Sequence, residues 1–277
     1  KLKSTFKKYV SNQIVDQLLE NEDLLSLGGQ EQEATILFSD IRGFTSLSEN
    51  MTPNEVVETL NDYFNQMIEI IFKYNGILDK IIGDELMVIY GVPKSNIQDS
   101  ENAVLTAIEM QEKLIAFNQD RCINLKKPIK VGIGVNSGSV ISGNIGSTDQ
   151  MDFTVIGDSV NLASRLCSYA EAGQIIISDA VWNNIKHLQT FKSKKLSPIK
   201  VKGKAKVISI KEILYDDYKF DYQDAFDKVE AFLLKELPSH YTYHSIEHFR
   251  DVVKQVEMIA KKEKVDKSGI LDLKLAA

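Results

Sequence analysis

Ile77-Leu-Asp-Lys-Ile-Ile-Gly-Asp-Glu-Leu-Met-Val-Ile-Tyr90 is two apolar runs divided by Gly83-Asp84, the pattern of a tight antiparallel hairpin. On its N-terminal side, Thr52-Pro53-Asn54-Glu55 opens a helix with a Thr cap, Pro at the first helical position and Glu at the third. Val57, Leu60, Phe64, Met67, Ile68 and Ile71 make the apolar stripe of that helix, and Gly76 supplies the stop. Further upstream, Ala34-Thr-Ile-Leu-Phe-Ser-Asp40 is a short run of β formers and predicts a buried strand. Beyond the hairpin, the spacing predicts a helix over roughly 99–118, with Val104, Ala107, Ile108, Leu114 and Ile115 inward, then a strand over Ile129–Val135. Strand, helix, hairpin, helix, strand is the order of an α/β layer (α+β), with helices packed on a mainly antiparallel sheet.

Downstream, Gly138, Gly143 and Gly146 punctuate a loop and a short strand, and Ser159–Tyr169 has helical character. Gln174–Ile177 reads as a brief strand, and Ile199–Ile213 as a final hairpin around Lys202-Gly203-Lys204. Residues 1–33 begin basic and amphipathic, with Phe6, Val10, Ile14, Leu18 and Leu19 at helical spacing and Gly28-Gly29 at the end. That segment is either a packing or dimer-contact helix or a signal-bearing connector. The organisation expected is a connector helix over 1–32, a main domain over 33–214 and a helical segment over 215–277.

Composition narrows the partners. The 277 residues are 43% hydrophobic, enough for a sizeable core, with 33 Lys+Arg against 39 Asp+Glu. No concentrated basic face marks a nucleic-acid footprint, and no run of about 18 apolar residues predicts a membrane segment in this stretch. Cys122 and Cys167 are too few for a disulfide framework and fit a reducing, cytoplasmic setting. The chain begins at Lys1 and ends on the apolar stretch Leu271–Ala277, so it reads as a piece of a longer protein. An upstream sensor domain or membrane anchor is expected to lie outside it.

Asp40 ends a buried strand, where a charge is costly unless something binds it, and Asp84 sits at a hairpin tip. Two hard oxygen donors at one sheet edge suit Mg²⁺ that also holds substrate phosphates; an N-cap and a turn former are the plainer roles. Gly43-Phe44-Thr45 follows the strand and offers backbone amides to an anion, or simply a tight turn. Asn161 and Arg165 lie four apart on a helix and share a face. They can grip a sugar and a phosphate, or form a solvated polar surface. Lys80 interrupts an apolar strand and either snorkels or donates to a base. Lys202, between Lys200 and Lys204, meets outer phosphates or belongs to a solvated hairpin.

Four stretches together resemble the class III nucleotidyl cyclase catalytic domain: Phe38-Ser-Asp-Ile-Arg-Gly-Phe-Thr45, Asp79-Lys-Ile-Ile-Gly-Asp-Glu85, Val131-Gly-Ile-Gly-Val-Asn-Ser-Gly138 and Gly157-Asp-Ser-Val-Asn-Leu-Ala-Ser-Arg165. The resemblance runs from about 33 to 214 and includes Val201-Lys-Gly-Lys204. It implies a ferredoxin-like β-α-β-β-α-β core with extra strands, in a head-to-tail homodimer whose sites draw on both chains. It further implies that Asp40, the Ile41 carbonyl and Asp84 bind two Mg²⁺ or Mn²⁺ ions per site. Asn161 would orient the ribose, Arg165 would stabilise charge on the α-phosphoryl group, and Lys202 would meet the terminal phosphates.

Lys80 and Thr154 match the positions at which adenine-selective members carry Lys with Asp or Thr. The expected reaction is therefore ATP to 3′,5′-cyclic AMP and pyrophosphate, in signal transduction. The alternatives are a guanylyl cyclase and a catalytically idle nucleotide-sensing dimerisation module within a multidomain regulator. Tyr243-His-Ser-Ile-Glu-His248 resembles the opening of an HD-type phosphohydrolase domain whose His-Asp pair would fall beyond Ala277. A metal phosphohydrolase with the cyclase unit as its regulator is thus a third expectation.

Overall fold

The computed structural model describes residues 27–49, 51–123, 126–199 and 207–215 together with 254, of residues 122 and 123 the backbone alone. The chain divides into two compact units, Lys1–Phe117 with Ile129–Asp216, and Asn118–Pro128 with Asp217–Ala277. In the second, Arg121 Nε donates to the Lys127 carbonyl at 2.8 Å. The candidate site lies in the first. The expected N-terminal connector helix, Lys202 and the HD-like stretch fall outside the described residues.

Strand β1 (Gly28–Ile41) is followed by a short helix α1 (Phe44–Ser48) and the long α2 (Pro53–Lys73). The hairpin strands β2 (Ile77–Ile82) and β3 (Glu85–Tyr90) lead into α3 (Asp99–Ile123) and β4 (Val131–Gly146). Next come β5 (Met151–Ile156), α4 (Asp158–Tyr169), β6 (Ile175–Ser178), α5 (Asp179–Ile185), β7 (Lys192–Lys195) and β8 (Ile210–Leu214). The strands form one sheet in the order β2-β3-β1-β4-β6-β8-β7, with β5 added beside β4. Only β4 and β6 run parallel among the described pairs. The first four strands, with α2 and α3, are therefore the expected β-α-β-β-α-β core.

Both faces of that core are covered, which explains why β1 and β3 read as continuous apolar runs. Leu37 and Ile41 of β1 and Leu86, Val88 and Tyr90 of β3 pack with Tyr63, Met67 and Ile71 of α2 and with Val104, Ala107 and Met110 of α3. The alternate residues Ile36, Phe38, Met87 and Ile89 face the other way, onto Val155 of β5 and Ala163 and Cys167 of α4. Asp40 shares the parity of Ile36 and Phe38, so it points to the α4 side.

The capping box forms as expected: Thr52 Oγ1 accepts from the Glu55 N–H, and Glu55 Oε2 accepts from the Thr52 N–H at 2.7 Å. The stripe is rotated from the expected one. Val57 is 58% exposed, while Thr59, Tyr63 and Ile70 are buried beside Phe64, Met67 and Ile71. Gly76 does not supply the left-handed residue that ends α2; Asn75 does, at φ 58. Gly76 is needed for room, because a Cβ there would meet the Tyr90 hydroxyl and Ile71.

Helix α3 extends past the expected end at 118, and Ile115 is half-buried where Met110 and Phe117 fill the core. Strand β1 starts at Gly28 rather than Ala34, because Gly28–Glu33 pair with Asn144–Ser139 of β4. For the same reason the loop and short strand expected around Gly138, Gly143 and Gly146 are one continuous strand, held by β1 on one edge and β5 on the other. The arms of the expected hairpin meet in an antiparallel Ile199–Ile208 bridge, with the tip over 200–206 outside the described residues, and β8 follows, pairing with β6 and β7.

Candidate active site

Asp40 and Ile41 end β1 opposite Gly132 and Val131 of β4, and Asp84 occupies the turn between β2 and β3. Because β3 pairs alongside β1, with Ser39 opposite Leu86, the turn brings Asp84 against Asp40. Burial first, and then the Asp40 charge, raise the Asp84 carboxyl above its ordinary range; its own N–H and that of Ile41 donate to it and partly offset the rise. Burial, then Asp40 and Asp84, push Glu85 up to about 7, with Arg42 pulling the other way. Two crowded, half-buried carboxylates are unfavourable together unless a cation joins them. Among the described residues no three His, Cys, Asp or Glu side chains cluster as a metal cage. Two carboxylates and a backbone carbonyl, leaving room for substrate phosphates, fit the open coordination of Mg²⁺.

Arg42 is a site residue that motif spacing does not single out. Its Nη1 donates to Asp40 Oδ2 at 2.6 Å, and its Nη2 donates to the Cys167 carbonyl at the end of α4. The alternating glycines of Val131-Gly132-Ile133-Gly134 make this possible. A Cβ on Gly132 would strike the guanidinium, and one on Gly134 would strike the Cys167 backbone nitrogen. Helix α4 therefore lies flat on β4, with Leu162, Ala163, Leu166 and Cys167 buried. Asn161 is exposed and Arg165 half-buried, off that packed face. Burial pushes the Cys167 thiol up to about 12, which keeps it a packing residue.

Gly43 takes the left-handed conformation at φ 70, and α1 starts behind it without a side-chain cap. Phe44 packs on the core, and the Thr45 carbonyl accepts from the Ser48 hydroxyl at 2.9 Å. A five-residue helix contributes little dipole, so what this segment offers an anion is its backbone.

The other group gathers where β2 meets β5. Lys80 Nζ binds the Asp152 carboxylate and lies 3.4 Å from Asp79 Oδ2. Thr154, 7% exposed, donates through Oγ1 to Asp79 Oδ2 at 2.8 Å. Burial alone would lower the Lys80 ammonium, but hydrogen bonding to Asp152 and the Asp79 charge outweigh it and leave it raised. Asp79 is raised by burial, against the pull of Lys80 and Thr154. Asp79 opens one of the quoted motifs without a role of its own, and Asp152 and the range of β5 are not singled out by the sequence; the polar alternation Asp152-Phe153-Thr154 is the signal available for them.

Comparison with known proteins follows the same outline. A family model described as the adenylate and guanylate cyclase catalytic domain matches residues 28–213. The adenylate cyclase of Anabaena cylindrica is 36% identical over 225 residues, 77% of this chain and 44% of that protein. The chain thus spans less than half the length of that relative. The crystal structure of the adenylyl cyclase CyaB from P. aeruginosa superposes with a TM-score of 0.65 at 37% identity, over 69% of this chain and 98% of that one. The guanylyl cyclase Cya2 gives 0.63 at 36% identity, over 70% and 98%. Overall likeness therefore does not separate adenine from guanine.

Proposed function

The chain belongs to the adenylate and guanylate cyclase catalytic domain family, and from that membership we propose that it converts ATP to 3′,5′-cyclic AMP and pyrophosphate, in sites shared across a homodimer. Asp40, Asp84 and the Ile41 carbonyl would hold two Mg²⁺ or Mn²⁺ ions. When bound, such ions supply charge that acidifies the ribose 3′-hydroxyl and neutralises the triphosphate. The chain's own groups then position the reactants. Asn161 orients the ribose, and Arg165 stabilises negative charge gathering on the α-phosphoryl oxygens. The O3′–Pα bond forms as the bond from Pα to the β-phosphate bridging oxygen breaks. The hydroxyl proton leaves to solvent and pyrophosphate departs with the electron pair. Lys202 is assigned to the outer phosphates and Gly43-Phe44-Thr45 to phosphate oxygens through backbone amides.

The observation that carries the choice of ATP is the contact of β2 with β5, which sets Lys80 and Thr154 on one carboxylate, Asp79. An ammonium donates to adenine N1, whereas guanine N1 bears a hydrogen and leaves that donor unmatched. ATP and GTP turnover with Mg²⁺ or Mn²⁺, followed by chromatography of products, tests this. Cyclic AMP is expected to dominate, and Asp84→Ala is expected to lower kcat by about a hundredfold or more, the scale of losing a preorganised charge group. No cyclic nucleotide at any protein concentration would overturn the activity; cyclic GMP as the main product would overturn the base choice.

The wider organisation extends the same proposal. The catalytic domain expected over 33–214 takes in Gly28–Gln32 as well, which belong to β1; the residues before it are assigned to a connector from an upstream sensor, and 215–277 to the start of a further, HD-like domain. Among the described residues no helix is long and apolar enough to cross a membrane.

A further inference from the structure

Strand β2 is not regular. Leu78 pairs with Val88 and Lys80 with Met87, so Asp79 is an extra residue in the ladder. A bulge of this kind re-aims side chains, and here consecutive residues Asp79 and Lys80 both reach β5. There Asp152 and Thr154, two apart, share one face of the strand. The Asp79 side chain is 1% exposed, and its Oδ1 is buried without a hydrogen-bond partner. A desolvated carboxylate with one oxygen unpaired lowers stability, and sites that break a local rule in this way tend to be functional ones.

We infer that Asp79 is a positioning residue that sets base specificity: it takes the single hydrogen of the Thr154 hydroxyl, so that Thr154 meets the base as an acceptor. A hydroxyl has one hydrogen and two lone pairs. With the hydrogen held on Asp79 Oδ2 at 2.8 Å, the oxygen accepts from the adenine 6-amino group. Facing guanine, the same lone pairs meet the O6 carbonyl, which has no hydrogen to give. Lys80 has three hydrogens; Asp152 and Asp79 engage two, and the third donates to adenine N1. Without Asp79 the Thr154 hydroxyl rotates freely, donates to O6 as readily as it accepts from an amine, and no longer discriminates. The inference rests on the proposed use of Lys80 and Thr154 on the base.

The test is the ATP:GTP ratio of kcat/KM in the dimeric protein for wild type, Asp79→Ala, Asp79→Asn, Thr154→Val and the double variant Asp79→Ala/Thr154→Val. Asp79→Ala is expected to lower the ratio about tenfold, the worth of one hydrogen bond, chiefly by raising use of GTP. Asp79→Asn is expected to do the same, because its amide can donate to Thr154 and release the hydroxyl hydrogen. The double variant is expected to fall no further than Thr154→Val alone, since Asp79 acts through Thr154. A ratio within twofold of wild type in Asp79→Asn, or additive losses in the double variant, would overturn the inference. Should Asp79→Ala fail to fold, Asp79→Asn keeps the volume and decides. A wild type without turnover overturns the proposed activity alone, because competition of ATP and GTP for a fluorescent ATP analogue still reports the ratio.

Discussion

Arg42 ties the end of β1 to the end of α4 through one planar group. Its fork donates to Asp40 Oδ2 at 2.6 Å and to the Cys167 carbonyl, which a lysine cannot match, because its ammonium is a point charge on a flexible stem. Two charge-assisted hydrogen bonds would contribute about 3 kcal/mol, but the buried Arg42 Nε has no partner, and that opposes them by about 1–2 kcal/mol. The net expectation is that Arg42→Lys lowers the free energy of urea unfolding by about 1–2 kcal/mol. Gly132→Ala should cost a similar amount without changing any charge, since its Cβ overlaps the guanidinium. An Arg42→Lys protein as stable as wild type would mean that charge, not fork geometry, holds Asp40. Arg42 is invisible to periodicity because its partner Cys167 lies 125 residues away. Asp40 is legible from sequence because a charge closing a buried strand conflicts with its surroundings over a few neighbouring residues.

The elements legible in the sequence are those specified by near neighbours. The cap of α2 joins Thr52 and Glu55, three apart, and the β2–β3 turn is set by Gly83-Asp84 between apolar runs. Thr52→Ala removes the Thr52 side-chain half of the cap, so a loss of about 1 kcal/mol is expected, or a fall of about 2–4 °C in Tm for a domain of this size. Thermal melts followed by circular dichroism measure it, and an unchanged Tm would show that tertiary packing alone fixes the start of α2. Where partners are distant, local signals mislead. Gly138, Gly143 and Gly146 look like breaks, yet they lie within β4, where Gly138 and Gly143 pair with β1 residues more than a hundred positions upstream and Gly143 and Gly146 pair with β5. The Asp79 bulge depends on which residues of β3 lie opposite, which no window on β2 reveals. The buried face of α2 is rotated so that Tyr63 lies inside and Val57 outside, and the Tyr63 hydroxyl lies 3.3 Å from Ser39 Oγ on β1. That contact buttresses the residue before Asp40.

Within one molecule, the packed face of α4 turns Asn161 outward, to solvent, while Asp40 is fastened by Arg42 beneath the same helix. Near Lys80 and Thr154 in the sheet, Ile81 and Ile82 of β2 and Ile141, Met151 and Ile156 of β4 and β5 are 37–51% exposed, apolar surface of the kind that marks interaction sites where it is contiguous. Both features suit the proposed two-fold pairing, in which each chain would lend Asp40 and Asp84 to one site and Lys80, Thr154, Asn161 and Arg165 to the other. Mixing two dead variants tests that arrangement. Asp84→Ala and Arg165→Ala should each be inactive alone. In an equal mixture about half the dimers are mixed, and each mixed dimer has one site with both lesions and one with neither. The activity regained should then approach about a quarter of wild type, and it should fade on dilution as dimers dissociate. If each chain carried a complete site of its own, mixing would restore nothing at any concentration.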